Sequence, residues 1–337
     1  MIPRISIVTP SFNQGQYLEQ TIDSVLSQNH PNLEYIIIDG GSTDGSVEII
    51  KKYEKHLDYW TSEKDNGQSH AINKGFVHAT GDIFNWLNSD DYYLPDALKT
   101  VTEHFVDPSL SVLCAKSRIV QEGKTIKISS GTDIYESNLA KTIGWARIDQ
   151  PETFFRKSCL DKIGGVNQNL HYVMDKELWM RYLFHFGLDG VKEVDDQLVA
   201  FRLHETSKTS TRQLDFEAET NALFYQIATD LDLVDLAVEI AKMGLPKQSI
   251  VSNFNNINDK LCYQSLHYFL LYQYERYYAE NQFEKAKSLA YILDLGILDQ
   301  NDLVGYKKIS HRMNYPVALK KIINWLSSLV SKLNSKS

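Results

Sequence analysis

Cysteine is scarce: Cys114, Cys159 and Cys262 are the only three in 337 residues. An odd number at wide intervals excludes a complete disulfide framework and offers no metal-ligand spacing, so three buried thiols in a reducing cytosol are expected. Long apolar runs are missing as well. No window of about 18 uninterrupted apolar residues occurs, which excludes an integral-membrane helix. The few apolar residues before Thr9 are expected to form neither a leader peptide nor a span. Positive charge is in deficit, with 35 Lys+Arg against 43 Asp+Glu and a formal charge of −8. Without a basic face to meet phosphates, a general nucleic-acid binder is excluded. Glycine and proline, at 17 and 8, are too few for a collagen-like or linker-dominated chain. What remains is ordinary globular material, 43% hydrophobic and 23% charged, which excludes wholesale disorder. Its length favours more than one compact unit.

Over the first ~115 residues short apolar runs alternate with amphipathic stretches. Strands are expected at 5–8, 35–38, 57–60 and 83–87, and helices at 17–27, after Asp44 and at 69–78. That alternation specifies an α/β fold with a doubly wound, mainly parallel sheet, which binds ligands beyond the carboxyl ends of its strands. A hairpin turning at Gly123, a helix over 175–186 and a last strand over 197–203 follow. After about residue 212 the pattern is helical throughout. A helical hairpin at 262–295 has the flavour of tetratricopeptide packing, but one unit does not make a repeat array. The expected division is a sheet domain at 1–211, a helical domain at 212–302 and a basic tail at 303–337.

Three polar clusters fall at consecutive strand ends. Thr9-Pro10-Ser11-Phe12-Asn13 presents small polar side chains beside a rigid proline, or simply caps a helix. Asp39-Gly40-Gly41-Ser42-Thr43-Asp44-Gly45-Ser46 pairs a strand-tip acid, able to accept hydrogen bonds from a ribose or base, with glycines that let backbone approach a ligand. Asp44 also reads as a helix cap. Asn88-Ser89-Asp90-Asp91 sets two like charges side by side, which either bind a divalent cation or form a solvated turn. Neither a dinucleotide fingerprint nor a P-loop is present.

Taken in order, these clusters resemble the family 2 glycosyltransferases of the GT-A fold. The matching residues are Ile7-Val8-Thr9-Pro10-Ser11-Phe12-Asn13, the Asp39–Ser46 run above, Asp65-Asn66-Gly67 with Ala71, Asn73 and Gly75, and Asn88-Ser89-Asp90-Asp91. The likeness is continuous over about 100 residues and patchy to about 210. It implies an inverting transfer of sugar from a nucleotide-diphosphate sugar, with a UDP-sugar the expected form, to an acceptor hydroxyl in bacterial surface polysaccharide or glycan assembly. Thr9, Pro10, Ser11, Asn13, Asp39, Gly40, Gly67, Asn73, Asn88 and Ser89 are the implied nucleotide-sugar contacts. The family's usual first metal-motif acid is Asn88 here, which implies a donor-orienting role for Asn88 and leaves Asp90 as the primary ligand for Mn²⁺ or Mg²⁺.

Breaking a sugar–phosphate bond leaves a charged diphosphate that a cation can stabilise, and a carboxylate must take the acceptor's proton. In similar enzymes the acid before a Leu-Trp helix is that base, which is the place of Asp175; its other reading is a helix cap. Glu177 is the alternative base, although two helical residues on it points about 200° away. Glu152, in the loop Gln150-Pro151-Glu152-Thr153, reads as an acceptor-side acid or a surface one. His204 reads as structural or, by resemblance, as the residue completing the metal shell, with Lys208 and Arg202 placed to offset diphosphate charge. Two other classes stand beside this reading. A metal-dependent nucleotidyltransferase should carry a basic, glycine-rich phosphate loop, and residues 9–16 contain no Lys or Arg. A sugar-nucleotide-binding scaffold without turnover would not need Asp90, Asp91 and Asp175 together.

The tail has its own signature. Residues 303–337 hold seven cations (Lys307, Lys308, Arg312, Lys320, Lys321, Lys332 and Lys336) and no acid, leaving −15 on the rest. Leu319, Ile322, Ile323, Leu326, Leu329, Val330 and Leu333 recur at three- and four-residue steps, with Trp325 beside them. Such a helix suits an anionic membrane surface, as a lipid-linked acceptor would require, or it docks on the acidic body or on a second subunit. The expected location is cytoplasmic, with the inner membrane face as the peripheral alternative.

Overall fold

The computed structural model describes residues 2–334 apart from 146, 206, 253, 255 and 256. In chain order its elements are β1 (Ile5–Ser11), α1 (Gly15–Leu26), β2 (Leu33–Asp39), α2 (Ser46–Tyr53), β3 (Tyr59–Ser62), α3 (Gln68–His78), β4 (Ile83–Trp86), β5 (Tyr92–Tyr93), α4 (Ala97–Phe105), β6 (Val112–Gln121), β7 (Lys124–Ile128), α5 (Leu139–Trp145), β8 (Thr153–Arg156), α6 (Lys157–Ile163), α7 (Met174–Phe186), β9 (Val191–Leu203), α8 (Lys208–Thr211), α9 (Gln213–Asp230), α10 (Val234–Lys242), α11 (Asp259–Ala279), α12 (Phe283–Ile292), α13 (Gln300–Arg312) and α14 (Val317–Asn334). They divide into two compact units. The first holds Met1–Glu136, Ala146–Thr220 and Pro246–Phe254, and the second Ser137–Trp145, Asn221–Leu245 and Asn255–Ser337.

The first unit is built on one sheet of order β3-β2-β1-β4-β8-β6-β9-β5, with β7 paired to β6. The strands β3, β2, β1 and β4 are mutually parallel. Both faces of β1 and β2 are covered, which is why they read as near-continuous apolar runs and not as alternation. On one face Leu18, Ile22 and Val25 of α1 and Leu98 and Val101 of α4 join Ile5, Ile7, Tyr35 and Ile37 in the core. α3 packs so closely on β1 that a Cβ at Gly75 would stand 2.3 Å from Val8 Cγ1, so only glycine fits there.

Two antiparallel pairings decide what reaches the carboxyl ends of the parallel strands. β8 runs against β4, with Phe84 opposite Phe155, so the loop entering β8 lies where β4 exits. β5 runs against β9, with Tyr92 opposite Ala200 and Tyr93 opposite Val199. Carried a residue or two further, that register brings the segment before β5 toward the segment after β9. The two-residue strand β5 carries no readable periodicity of its own.

In the second unit α11 and α12 form the expected hairpin, with Asn281 at φ 62 in the turn. Phe224 stacks on Phe269 at a centroid distance of 4.0 Å, and Gly144 of α5 lies against the α11 backbone at Ser265. All three cysteines are buried free thiols. Among the described residues no helix is long and apolar enough to cross a membrane.

Candidate active site

The first two loops are tied to each other. Asn13 (φ 51) accepts the Thr43 backbone N–H on Oδ1 at 2.9 Å and donates its own N–H to Ser42 Oγ at 2.7 Å. Gly40 donates to the Ser11 carbonyl, and Asp44 Oδ2 accepts from the Gly15 N–H at 2.8 Å. Asp39, fully buried at the β2 tip, accepts from the backbone N–H groups of Gly41 and Ser42 and from the hydroxyls of Ser42 and Ser62. Burial alone would raise the Asp44 pKa, but hydrogen bonds from Ser46 and Gly15 leave it lowered. Thr9 is buried against the Tyr35 hydroxyl, and Ser11 Oγ is buried without a partner among the described residues. Gly40 sits against the Asp65 carboxylate, whose Oδ1 accepts from the Gly67 N–H. Asn73 spends its amide elsewhere: Oδ1 accepts from Val166 N–H and Nδ2 donates to Val166 O, clamping α3 to the loop after α6.

The loop after β4 holds the paired acids. Asp90 Oδ2 and His204 Nε2 stand 3.0 Å apart, and the Tyr17 ring lies 4.8 Å from the imidazole. Asp91 is buried; desolvation, then Asp90 beside it, raise its pKa well above the carboxylate range. Its Oδ1 accepts from Arg202 N–H at 2.9 Å, and its Oδ2 has no partner among the described residues. Ser89 is buried, its carbonyl accepting from Thr21 Oγ1. Asn88 Oδ1 accepts from Gln68 Nε2 at 2.8 Å, and Gln68 Oε1 in turn accepts from Lys208 Nζ at 2.9 Å. Among the described residues no group of three or more His, Cys, Asp or Glu side chains converges as a metal cage.

Lys208 also donates to the His171 carbonyl at 3.1 Å. Although the residue stays open to solvent, protein crowding lowers its pKa, against the opposing pull of Glu219, Asp90 and Asp175. It borders an open hollow of about 560 Å³ lined with Tyr172, Glu205, Thr211 and Arg212. Asp175 stands in the first turn of α7. Desolvation raises its pKa to about 6, against the backbone N–H groups of Lys176, at 2.8 Å, and of Asp175 itself and the Lys176 charge. The loop leading into α7 is held by Glu219, whose carboxylate accepts from the backbone N–H groups of His171, Tyr172 and Val173. Glu177 faces away and is paired with Arg181 through two 2.8 Å contacts. Arg181 also donates to the Ile163 and Gly165 carbonyls. Glu152 is buried at the entry to β8; burial, then the neighbouring Asp149 charge, push it up to about 8. Gln150 and Asn85 bind each other's segments, strapping that entry to the end of β4.

The sequence profile described as Glycosyl transferase family 2 matches residues 6–162. An uncharacterized glycosyltransferase of Mycobacterium tuberculosis is 31% identical over 184 residues, 53% of this chain and 68% of that protein. The chain belongs to glycosyltransferase family 2. TuaG of Bacillus subtilis, named for teichuronic acid biosynthesis, is 39% identical over 112 residues, 32% of this chain and 44% of TuaG. In fold, the glycosyltransferase is similar to Staphylococcus aureus TarS 1–349 solved with UDP-GlcNAc, at TM-score 0.59 and 17% identity over 96% of this chain and 89% of that one. It is also similar to the mannosyltransferase PcManGT of Pyrobaculum calidifontis solved with GDP-Man and Mn²⁺, at TM-score 0.51 and 15% identity over 100% and 89%. The architecture is the GT-A type that the family resemblance implied, on the mainly parallel sheet that the strand–helix alternation predicted, with a helical region after it.

Four residues that the structure brings to the candidate site carry no functional reading from sequence. Gln68 directly follows the Asp65-Asn66-Gly67 run, so a signal was present. Asp149, whose Oδ2 is buried without a partner among the described residues, sits one residue before the loop that was read. Tyr17 reads in the sequence only as the start of the helix expected at 17–27. Glu219 carries no local signal at all, because its three partners lie 46 to 48 residues away.

Proposed function

We propose that the glycosyltransferase moves a sugar from a nucleotide-diphosphate sugar, a UDP-sugar above others, to a hydroxyl of a glycan or lipid-linked acceptor, with inversion, in surface polysaccharide assembly. One observation carries the reading: Asp90 Oδ2 and His204 Nε2 stand 3.0 Å apart beyond the β4 end, and the neighbouring Asn88 is linked through Gln68 to Lys208, which also reaches the His171 carbonyl in the loop leading to Asp175. The names of TuaG and the ligands of the TarS and PcManGT structures support the donor class and the pathway. The catalytic chemistry is assigned to residues 1–211, and residues 212–302 and 303–337 are taken as separate functional parts.

The tied loops at Thr9–Asn13 and Asp39–Asp44, with Gly40 and Gly67, cradle the nucleotide. Asn73 supports them through its clamp on Val166. Asn88 and Ser89 orient the donor sugar, Asn88 being held in turn by Gln68. Asp90 and His204, with Asp91 behind them, suit Mn²⁺ or Mg²⁺. Such ions take one or two protein carboxylates and fill their shell with substrate phosphates and water, and the orphaned Asp91 Oδ2 fits a cation nearby. When bound, the cation supplies Lewis-acid stabilisation of the diphosphate. Lys208 opposes the negative charge that gathers on the departing diphosphate. Asp175, ionised above about pH 6, takes the proton of the attacking hydroxyl. Glu152 holds its own proton at neutral pH and so does not compete as base.

Release of nucleoside diphosphate across a panel of nucleotide sugars, with and without Mn²⁺, tests the proposal. The expected result is metal-stimulated release from one donor class. Metal-dependent binding of a donor that is never turned over would replace the enzyme with a binding protein.

A further inference from the structure

The last helix of the second unit is amphipathic in the inverted sense. A helix docked on a protein body normally buries its apolar stripe. In α14 the inward side is Lys320, Ile323 and Asn324. Lys320 is 7% exposed, lies over the Phe283 ring and donates to the Met313 carbonyl. Asn324 Nδ2 donates to the Tyr278 carbonyl at 2.7 Å and to Asn281 Oδ1 at 3.1 Å. The apolar residues point the other way: Leu319 is 43% exposed, Ile322 53%, Trp325 63%, Leu326 50% and Leu329 38%. Ile323, expected on the stripe, is drawn inward by its neighbours, which leaves the outward arc narrower but continuous. The side chains of Val330, Lys332 and Leu333, and Lys336 altogether, lie outside the described residues.

We infer that this outward face of α14 is a docking surface for an anionic lipid bilayer. Its chemistry selects that occupant. Lys321 on α14 and Lys307 and Lys308 on α13 are exposed, and no acid occurs from residue 303 onward. A second copy laid face to face would set Lys321 against its own equivalent and neutralise none of these cations. An anionic headgroup layer neutralises them, while the acyl boundary takes up Leu319, Ile322, Leu326 and Leu329, and Trp325 sits at the depth indoles prefer. The helix needs no refolding to do so, because Lys320 and Asn324 already hold its other side. The inference is independent of the donor and metal assignments.

Co-sedimentation of the full-length protein with phosphatidylglycerol vesicles and with phosphatidylcholine vesicles tests it without reference to activity. Binding to the first and not the second is expected, weakening as salt rises. The double variant Ile322→Ser/Leu326→Ser, at two exposed positions, should lose about tenfold or more in vesicle affinity, and Lys321→Gln about fivefold. Trp325 emission should shift to the blue on binding, a change absent in Trp325→Phe. Unchanged vesicle affinity in the double variant would overturn the inference. So would an intact protein that stays in the supernatant, whether as a monomer or as a dimer that the double variant dissociates.

Discussion

The two halves of the catalytic sheet treat their acids differently. At the β1 and β2 tips Asp39 and Asp44 are supplied with donors, Asp39 with four. Toward β8 and α7 burial outweighs the donors: Asp149, Glu152 and Asp175 are all raised, in each case first by desolvation, although Glu152 accepts from Ser129 and Asp175 from the Lys176 N–H. Asp91, orphaned at one oxygen, belongs with the desolvated group although it lies on the first side. The contrast teaches a distinction of role. A carboxylate that ties a loop together is held by several donors at once. One proposed to take a proton lies where burial outweighs its hydrogen bonds, so that protonation costs less.

The largest way to break that contrast is Asp90→Ala. If Asp90 is the acid that meets the cation, turnover at limiting Mn²⁺ should fall by roughly three orders of magnitude, the several kcal/mol typical of such stabilisation. Full activity there would remove Asp90 from the site. Next comes Asp175→Asn, which keeps shape and deletes the proton acceptor. Turnover should fall about 10²-fold or more with donor affinity nearly unchanged. In the parent, turnover should rise as pH climbs through about 6 and then level off, and the variant should lack that limb. A collapse of donor affinity with a high residual rate would make Asp175 a binding residue instead. His204→Ala should act more mildly, raising the Mn²⁺ requirement about tenfold, because water replaces one neutral ligand. An unchanged Mn²⁺ titration would return His204 to a structural role.

The smallest effect sharpens the contrast through stability. Glu152 keeps its proton to about pH 8 in the fold but ionises near the ordinary carboxylate value when unfolded. Between those values the folded protein binds more protons, so stability falls as pH rises through that window. Glu152→Gln removes the slope, and its Tm at pH 8 should exceed the parent's by about 2–4 °C or more. Equal pH slopes in the two proteins would show that Glu152 is not buried and protonated.

What could be read in advance follows from range. The loops at Thr9–Asn13, Asp39–Ser46 and Asn88–Asp91 are contiguous, and parallel strands send their ends to one side, so sequence placed all three at one edge. It also marked Asp175 as the acid opening α7 and the tail as basic and amphipathic. The sequence left the direction of α14 open, since periodicity defines a stripe but not which side of the helix the body occupies. Tertiary structure decided that through Lys320 and Asn324. It also decided that Glu177 belongs to Arg181, that Asn73 belongs to Val166, and that Asp90 meets His204 across 114 residues. Local pattern determines where a polar group sits on its own element. Only the packed chain determines which partner desolvates or satisfies it, because those partners come from strands and helices far away in sequence.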